Sequence, residues 1–151
     1  MIIRDAHGAD AGAVGAILSA FIDDTPWMPR IHTRAEELSF AGLMVDRGWV
    51  RVAEQGGAVI GFLALTDGFV HSLYLRSDAQ GQGVGKALLE DAKATSGQLK
   101  LNTFAANTGA QRFYLREGFV ETARSDGAGN DENLPDITYV WTKADKEEPQ
   151  T

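Results

Sequence analysis

The seven residues Gln80-Gly81-Gln82-Gly83-Val84-Gly85-Lys86 carry the most specific chemistry in the chain. Glycines at alternate positions let the backbone turn tightly and remove the Cβ atoms that would hold a ligand away. Leu73, Tyr74, Leu75 and Arg76 precede them with strand-like alternation, and Val84, Ala87 and Leu88 follow at helical spacing. A helix start leaves N–H groups without intrahelical partners, and the helix dipole adds partial positive charge there. The chemistry implied is anion binding, most simply of a phosphate or pyrophosphate. Two common phosphate loops fail on spacing. A Walker A loop would need glycine at Gln80 and a hydroxyl at Ala87, and the dinucleotide fingerprint would need glycine at Lys86.

The pattern that does fit is Gln/Arg-x-x-Gly-x-Gly/Ala, met by Gln80, Gly83 and Gly85. On a strand–helix junction it resembles the acetyl-coenzyme A loop of the GNAT superfamily of N-acetyltransferases. A second stretch, Asn107-x-x-Ala110-x-x-Phe113-Tyr114-x-x-x-Gly118-Phe119, is similar to one found in many members. The resemblance extends over nearly the whole chain and implies acetyl-coenzyme A as cosubstrate. It implies pyrophosphate on the backbone of residues 80–86, with Lys86 as an optional charge contact. Pantetheine would run along the backbone of Leu73, Tyr74 and Leu75, where the central strand splays from its neighbour. Asn107, Ala110, Phe113 and Tyr114 would face the arm, with the Tyr114 hydroxyl at the sulfur. From the residues themselves, Phe113 and Phe119 also read as core, Gly118 as a helix stop and Asn107 as a cap.

Acetyl transfer to an amine sets three chemical requirements. The departing thiolate needs a proton, which a phenol such as Tyr114 can supply. The thioester oxygen becomes negative and needs backbone N–H donors. An alkylammonium cannot attack, so a base is needed. His71, with an ordinary pKa near 6.5, suits that task. Strand alternation places it on one face with Phe69 and Leu73. Trp27, His32, His71 and Asp136 are the candidate acceptor contacts, drawn from the loop 27–32 and the polar loop 127–136 as well as the central strand. His32 reads equally as a structural hydrogen-bonder, and Glu37 reads as a solvated helix charge rather than an acceptor anchor. His32, His71 and Asp136 show no metal-ligand spacing, so no metal is expected.

These residues need elements to hold them. Strands are expected at 2–4, 49–53, 59–66, 69–75, 99–104, 119–123 and 137–142, and helices at 9–22, 33–45, 83–95 and 108–116. Thr33 and Glu36 form a capping box, with Leu38, Ala41 and Val45 on one face of the second helix. Gly12 and Gly15 weaken the first helix by about 1 kcal/mol each relative to alanine. Gly97 reads as a C-cap. An antiparallel meander followed by β-α-β units gives an α/β (α+β) fold. The expectation is a GNAT-like mixed sheet of six to seven strands flanked by about four helices. It forms one acetyltransferase domain over 1–143, with a frayed tail at 144–151.

Composition bounds the function. The chain has 151 residues, no cysteine and a net charge of −7. Disulfides, thiol nucleophiles and thiolate metal sites are thereby excluded. The acidic balance argues against nucleic acid as main partner. No apolar run reaches about 18 residues, and no signal peptide is evident at the start, so a cytoplasmic protein without membrane partners is the default. With the resemblance, two function classes remain. One is an N-acetyltransferase that acetylates a primary amine of a small molecule or peptide by direct attack, with a homodimer left open. The other is a non-catalytic acyl-coenzyme A sensor. A proton donor at the sulfur favours the enzyme.

Overall fold

The computed structural model describes residues 1–144. Strand β1 (Ile2–Asp5) leads through a 3-10 turn (Gly8–Asp10) into α1 (Ala11–Asp23) and α2 (Arg34–Asp46). Strands β2 (Val50–Gln55), β3 (Ala58–Thr66) and β4 (Phe69–Leu75) form the meander. After a 3-10 turn (Ser77–Ala79) come α3 (Val84–Ala94), β5 (Gln98–Phe104), α4 (Thr108–Arg116), β6 (Val120–Ser125) and β7 (Asp136–Thr142). The expected tail lies, from residue 145 on, outside the described residues. The strands make one mixed seven-stranded sheet in the order β1-β2-β3-β4-β5-β7-β6. This is the expected fold class. No helix among the described residues is long and apolar enough to cross a membrane.

Each face of the sheet has its own core. Val14 and Ile17 of α1 and Ala41, Met44 and Val45 of α2 pack on Val50, Val52, Phe62 and Ala64. Val84, Leu88, Leu89 and Ala92 of α3 and Tyr114 of α4 pack with Leu63, Leu99, Leu101 and Tyr139 on the other face. Gly15 is more than a weak point in α1. A Cβ there would meet Leu38 Cδ1 at 2.8 Å and its Cα at 3.2 Å. Glycine thus permits the close approach of α1 and α2.

Several local readings are corrected. The first helix does not start at residue 9, because the Asp10 carboxylate is taken by Arg4 (2.8 and 3.1 Å) and the His7 N–H (2.7 Å). Gly97 is not among the residues with positive φ, so it is no left-handed cap, whereas Gly118 has φ +96°. Thr33 and Glu36 do form the capping box. The buried face of α2 is Glu37, Ala41, Met44 and Val45, while Leu38 is 47% exposed.

Two irregularities in the central strand bear on function. First, β4 and β5 are parallel, and their pairing register consists of Phe69 with Lys100 alone. Gly68 makes the contact tight there. Its C=O accepts from the Lys100 N–H at 2.8 Å, and a Cβ on it would lie 2.8 Å from Gln98 O. Beyond that point the strands separate. Second, β4 carries a bulge. Ala64 pairs with Ser72 and Leu65 with Val70, leaving His71 as the extra residue. A bulge of this kind shifts the alternation by one. Val70 and Leu73 therefore share the α3 face, while Tyr74 packs on the α1–α2 side. His71 stacks on Trp49, 4.8 Å between centroids, which belongs to that same side. The expectation that Phe69, His71 and Leu73 share one face fails for this reason.

Candidate active site

The separation of β4 from β5 opens into a cavity of about 540 Å³. Its walls are Leu73, Tyr74 and Leu75 of β4, Gln80 and Gly85 of the loop, and Asn107, Ala110, Phe113 and Tyr114 of α4. Phe21, Asp24 and Thr25 at the end of α1 close it from the other side. In a strand, successive N–H and C=O pairs point to alternate edges. One edge of β4 pairs with β3, and the other faces the gap with its backbone groups free of β5 beyond Phe69.

At one end of the cavity the glycine loop meets α3. Gly81 (φ +77°) and Gly83 (φ +80°) adopt the left-handed conformation, and a Cβ on either would meet nothing within 4 Å. The loop therefore needs glycine for its backbone, and it leaves open space above. The Ala87 N–H bonds Gly83 O at 3.0 Å. The preceding N–H groups, of Val84, Gly85 and Lys86, lack an intrahelical acceptor by geometry. Gln82 Nε2 donates to Asp78 O. The Lys86 ammonium is turned to Glu117, 3.1 Å away. The polar loop end, the free strand edge and the apolar α4 wall fit an extended ligand with a phosphate-bearing end.

Tyr114 is 7% exposed and lines both this cavity and a gap of about 80 Å³ between β4 and β5. Its ring is held edge-on by Phe113 and Phe119. Burial, with Tyr74 nearby, pushes its phenol above the ordinary tyrosine range. Burial also pushes Tyr74 up to about 12, helped by Glu132. Asn107 Oδ1 accepts from the Ala110 N–H at 3.1 Å, which caps α4. The capping leaves the amide NH₂ beside both cavities that Asn107 lines.

His71 lines the gap with Leu73, Tyr74 and Tyr114, and also a neighbouring cavity of about 200 Å³ with Asn130, Glu132 and Asp136. Partial burial lowers its pKa below the ordinary value. Asp136 is largely spent on its own loop. Its carboxylate accepts from Ser125 Oγ at 2.7 Å and lies 3.4 Å from Asn130 Nδ2. Trp27 packs edge-on against Phe21 and Phe104. His32 lies in a separate small cavity together with Glu37 and Glu132.

Glu37 is the largest departure from the sequence reading. It is 4% exposed and not solvated. Its place on the helix was a usable signal, since Ala41 and Val45 follow it at i+4 and i+8, within the buried face. Phe21, near the end of α1, is the other wall residue that lies outside both motifs.

Residues 46–121 match the family model described as "Acetyltransferase (GNAT) domain". Over 111 residues the chain is 35% identical to the peptidyl-lysine N-acetyltransferase YjaB of Escherichia coli strain K12, covering 72% of this chain and 75% of that one. It is 40% identical to the protein of the same name from Salmonella typhimurium. That match covers 52% of this chain and only about half, 53%, of that relative. The solution structure of apo-form YjaB from Escherichia coli superposes with a TM-score of 0.79 at 24% identity, over 95% of this chain and 100% of that one. The structure of yncA from Salmonella typhimurium with its cofactor acetyl-CoA gives 0.74 at 24% identity, over 100% and 98%. Both structures share the fold. With a family model over half its length and a relative this similar over three quarters of its own, the chain belongs to the GNAT family of acetyl-CoA-dependent acetyltransferases.

Proposed function

We propose that this protein transfers the acetyl group of acetyl-coenzyme A to a primary amine by direct attack, the amine being the ε-amine of a peptidyl lysine or that of a small molecule. The observation that carries the reading is the parallel β4–β5 pair held together at one register position and opening over a buried tyrosine. Peptidyl-lysine acetylation is the activity named for the YjaB relatives.

In this reading the free N–H groups of Gln82 to Lys86, on a loop that also includes Gln80 and Gly81, hold the pyrophosphate. The gap-facing edge of Leu73–Leu75 binds the pantetheine amides and donates to the thioester oxygen. Such a donor is worth about 3 kcal/mol where charge develops. Asn107 supplies its amide to the arm, and Ala110 and Phe113 supply apolar contact. His71, neutral at pH 7 because its pKa is lowered, takes the proton from the acceptor ammonium. The amine nitrogen then bonds to the acetyl carbon as the C–S bond breaks, and the nitrogen releases its second proton to solvent. Tyr114 gives its proton to the leaving sulfur and is reprotonated through solvent. The sum is ammonium plus thioester going to amide, thiol and one proton. Trp27, His32 and Asp136 shape the acceptor side, Trp27 through packing and Asp136 by pinning its loop.

The test is release of free thiol from acetyl-coenzyme A in the presence of lysine peptides and small amines, with mass spectrometry of the acceptor. An acetylated amine is expected. Tight coenzyme binding with no acceptor modified across the panel would favour the sensor reading instead.

A further inference from the structure

The Glu37 carboxylate is only half used. Its Oε1 accepts from Ser19 Oγ and from Arg30 Nη1, both at 2.6 Å. Its Oε2 is buried and has no hydrogen-bond partner among the described residues. Buried carboxylate oxygens are ordinarily satisfied, and an orphan one calls for a donor. Glu37 lines a cavity of about 90 Å³, roughly three water volumes at ~30 Å³ each. Met28, Ile31 and Phe104 make its apolar walls, and Glu132 supplies a second carboxylate. Arg30 offers this space no free charge, because its other nitrogen pairs with Asp23 and bonds Ser19 O. His32 and the Tyr74 phenol are the remaining ionisable groups in the wall. Two carboxylates over an apolar floor suit the end of an alkylammonium or a guanidinium and repel a carboxylate or phosphate.

Position ties this cavity to the reaction. Phe21 and Tyr74, with ring centroids 4.5 Å apart, belong to its wall and also to the wall of the 540 Å³ cavity. A group seated against Glu37 is thus on the far side of that aromatic pair from the thioester. It must be a part of the acceptor several bonds from the attacking nitrogen. The roof is the irregular connection between α1 and α2, so an entering side chain displaces no regular element.

We propose that Glu37 Oε2 anchors a second cationic group of the acceptor, so that the preferred acceptors are dications. This rests on the amine-acetylation reading above. The second charge could belong to a diamine or to a basic residue near the target lysine. The two arms of the experiment separate those sources. One arm compares α,ω-diaminoalkanes with n-alkylamines of equal length. The other compares lysine peptides carrying a nearby arginine with the same peptides carrying alanine.

The wild-type protein should favour the dication at least tenfold in kcat/KM in one arm. In Glu37→Gln that ratio should fall at least fivefold, through KM, with acetyl-coenzyme A affinity and Tm close to wild type. Should Glu37→Gln not fold, Glu132→Gln decides, since Glu132 lies in a surface loop. A fall in the ratio supports the anchor, and an unchanged ratio overturns it. A wild-type enzyme indifferent to the second charge in both arms, or a preference that survives Glu37→Gln, also overturns it. If acetyl-coenzyme A binds but no amine in either arm is acetylated, the acetyl-transfer reading itself fails and the anchor falls with it.

Discussion

The role proposed for Tyr114 rests on its surroundings. A phenol exposed to water titrates near 10. Burial among Phe113, Phe119 and Tyr139 raises that value, so the phenol keeps its proton at neutral pH and stays available to donate it, through a hydrogen bond, to a departing sulfur. Tyr114→Phe keeps the ring and the packing but removes the proton. Turnover should drop by roughly 10²-fold, the scale of one positioned acid, with acetyl-coenzyme A affinity nearly unchanged. Full turnover in this variant, under conditions where chemistry limits the rate, rules the role out. His71 is shifted the other way. Its cationic form is disfavoured by burial, so its pKa lies below 6.5. The neutral, proton-accepting form therefore dominates throughout the neutral range. The ascending limb of kcat/KM against pH should lie below pH 6.5 and vanish or move in His71→Ala. A limb of unchanged position in that variant assigns the base to another group.

At the scale of elements, the loop between β4 and α3 works through backbone conformation. Gly83 sits at φ +80° with open space above it. Valine there adds left-handed strain of about 1–3 kcal/mol and places methyl groups where the anion would lie. Gly83→Val should weaken acetyl-coenzyme A binding tenfold or more, about 1.4 kcal/mol or greater. Titration calorimetry on a folded variant with unchanged affinity would falsify this placement. The entry to α1 is also tuned, by the pairing of Arg4 with Asp10. The Arg4 guanidinium lowers the Asp10 carboxyl from 3.8 to about 2. The folded state thus binds fewer protons here than the unfolded chain between those values. The stabilisation is complete above about pH 4 and lost as pH falls towards 2. In Asp10→Asn the acid limb of the stability curve should lose this component, as read by Tm against pH.

On the scale of the molecule, the cavity lies at the seam between two halves of one sheet. The meander β1-β2-β3-β4 and the pair β5-β7 with β6 meet across β4 and β5, which share one register position. A ligand lying in that seam bonds both halves and binds only the folded protein. At one hundred times its Kd, acetyl-coenzyme A should add about 2.7 kcal/mol of stability. For a domain of this size that is about 5–10 °C in Tm. Gly83→Val should lose most of this shift at the same concentration. An equal shift in the variant would place coenzyme binding elsewhere.

Local signals in the sequence were enough for the elements and for the order in which they follow. The capping box at Thr33 and Glu36, the strand alternation of 99–104 and the glycine spacing of 80–85 are near-neighbour patterns, and near-neighbour sterics and hydrogen bonds decide them. The two motifs, 80–85 and 107–119, were likewise legible because each is contiguous. Tertiary structure decided what depends on register and on which surfaces meet. The bulge at His71 arises from pairing with β3, and no residue of β4 announces it, so strand alternation put the imidazole on the wrong face. The separation of β4 from β5 appears only in the pairing of strands, and the gap is lined by Tyr74 and by Tyr114 of α4, forty positions further along the chain. Glu37 looks like a surface charge to any composition rule. Only the arrival of Ser19 and Arg30 from α1 and the connection after it makes its burial affordable, and that arrangement leaves one oxygen free.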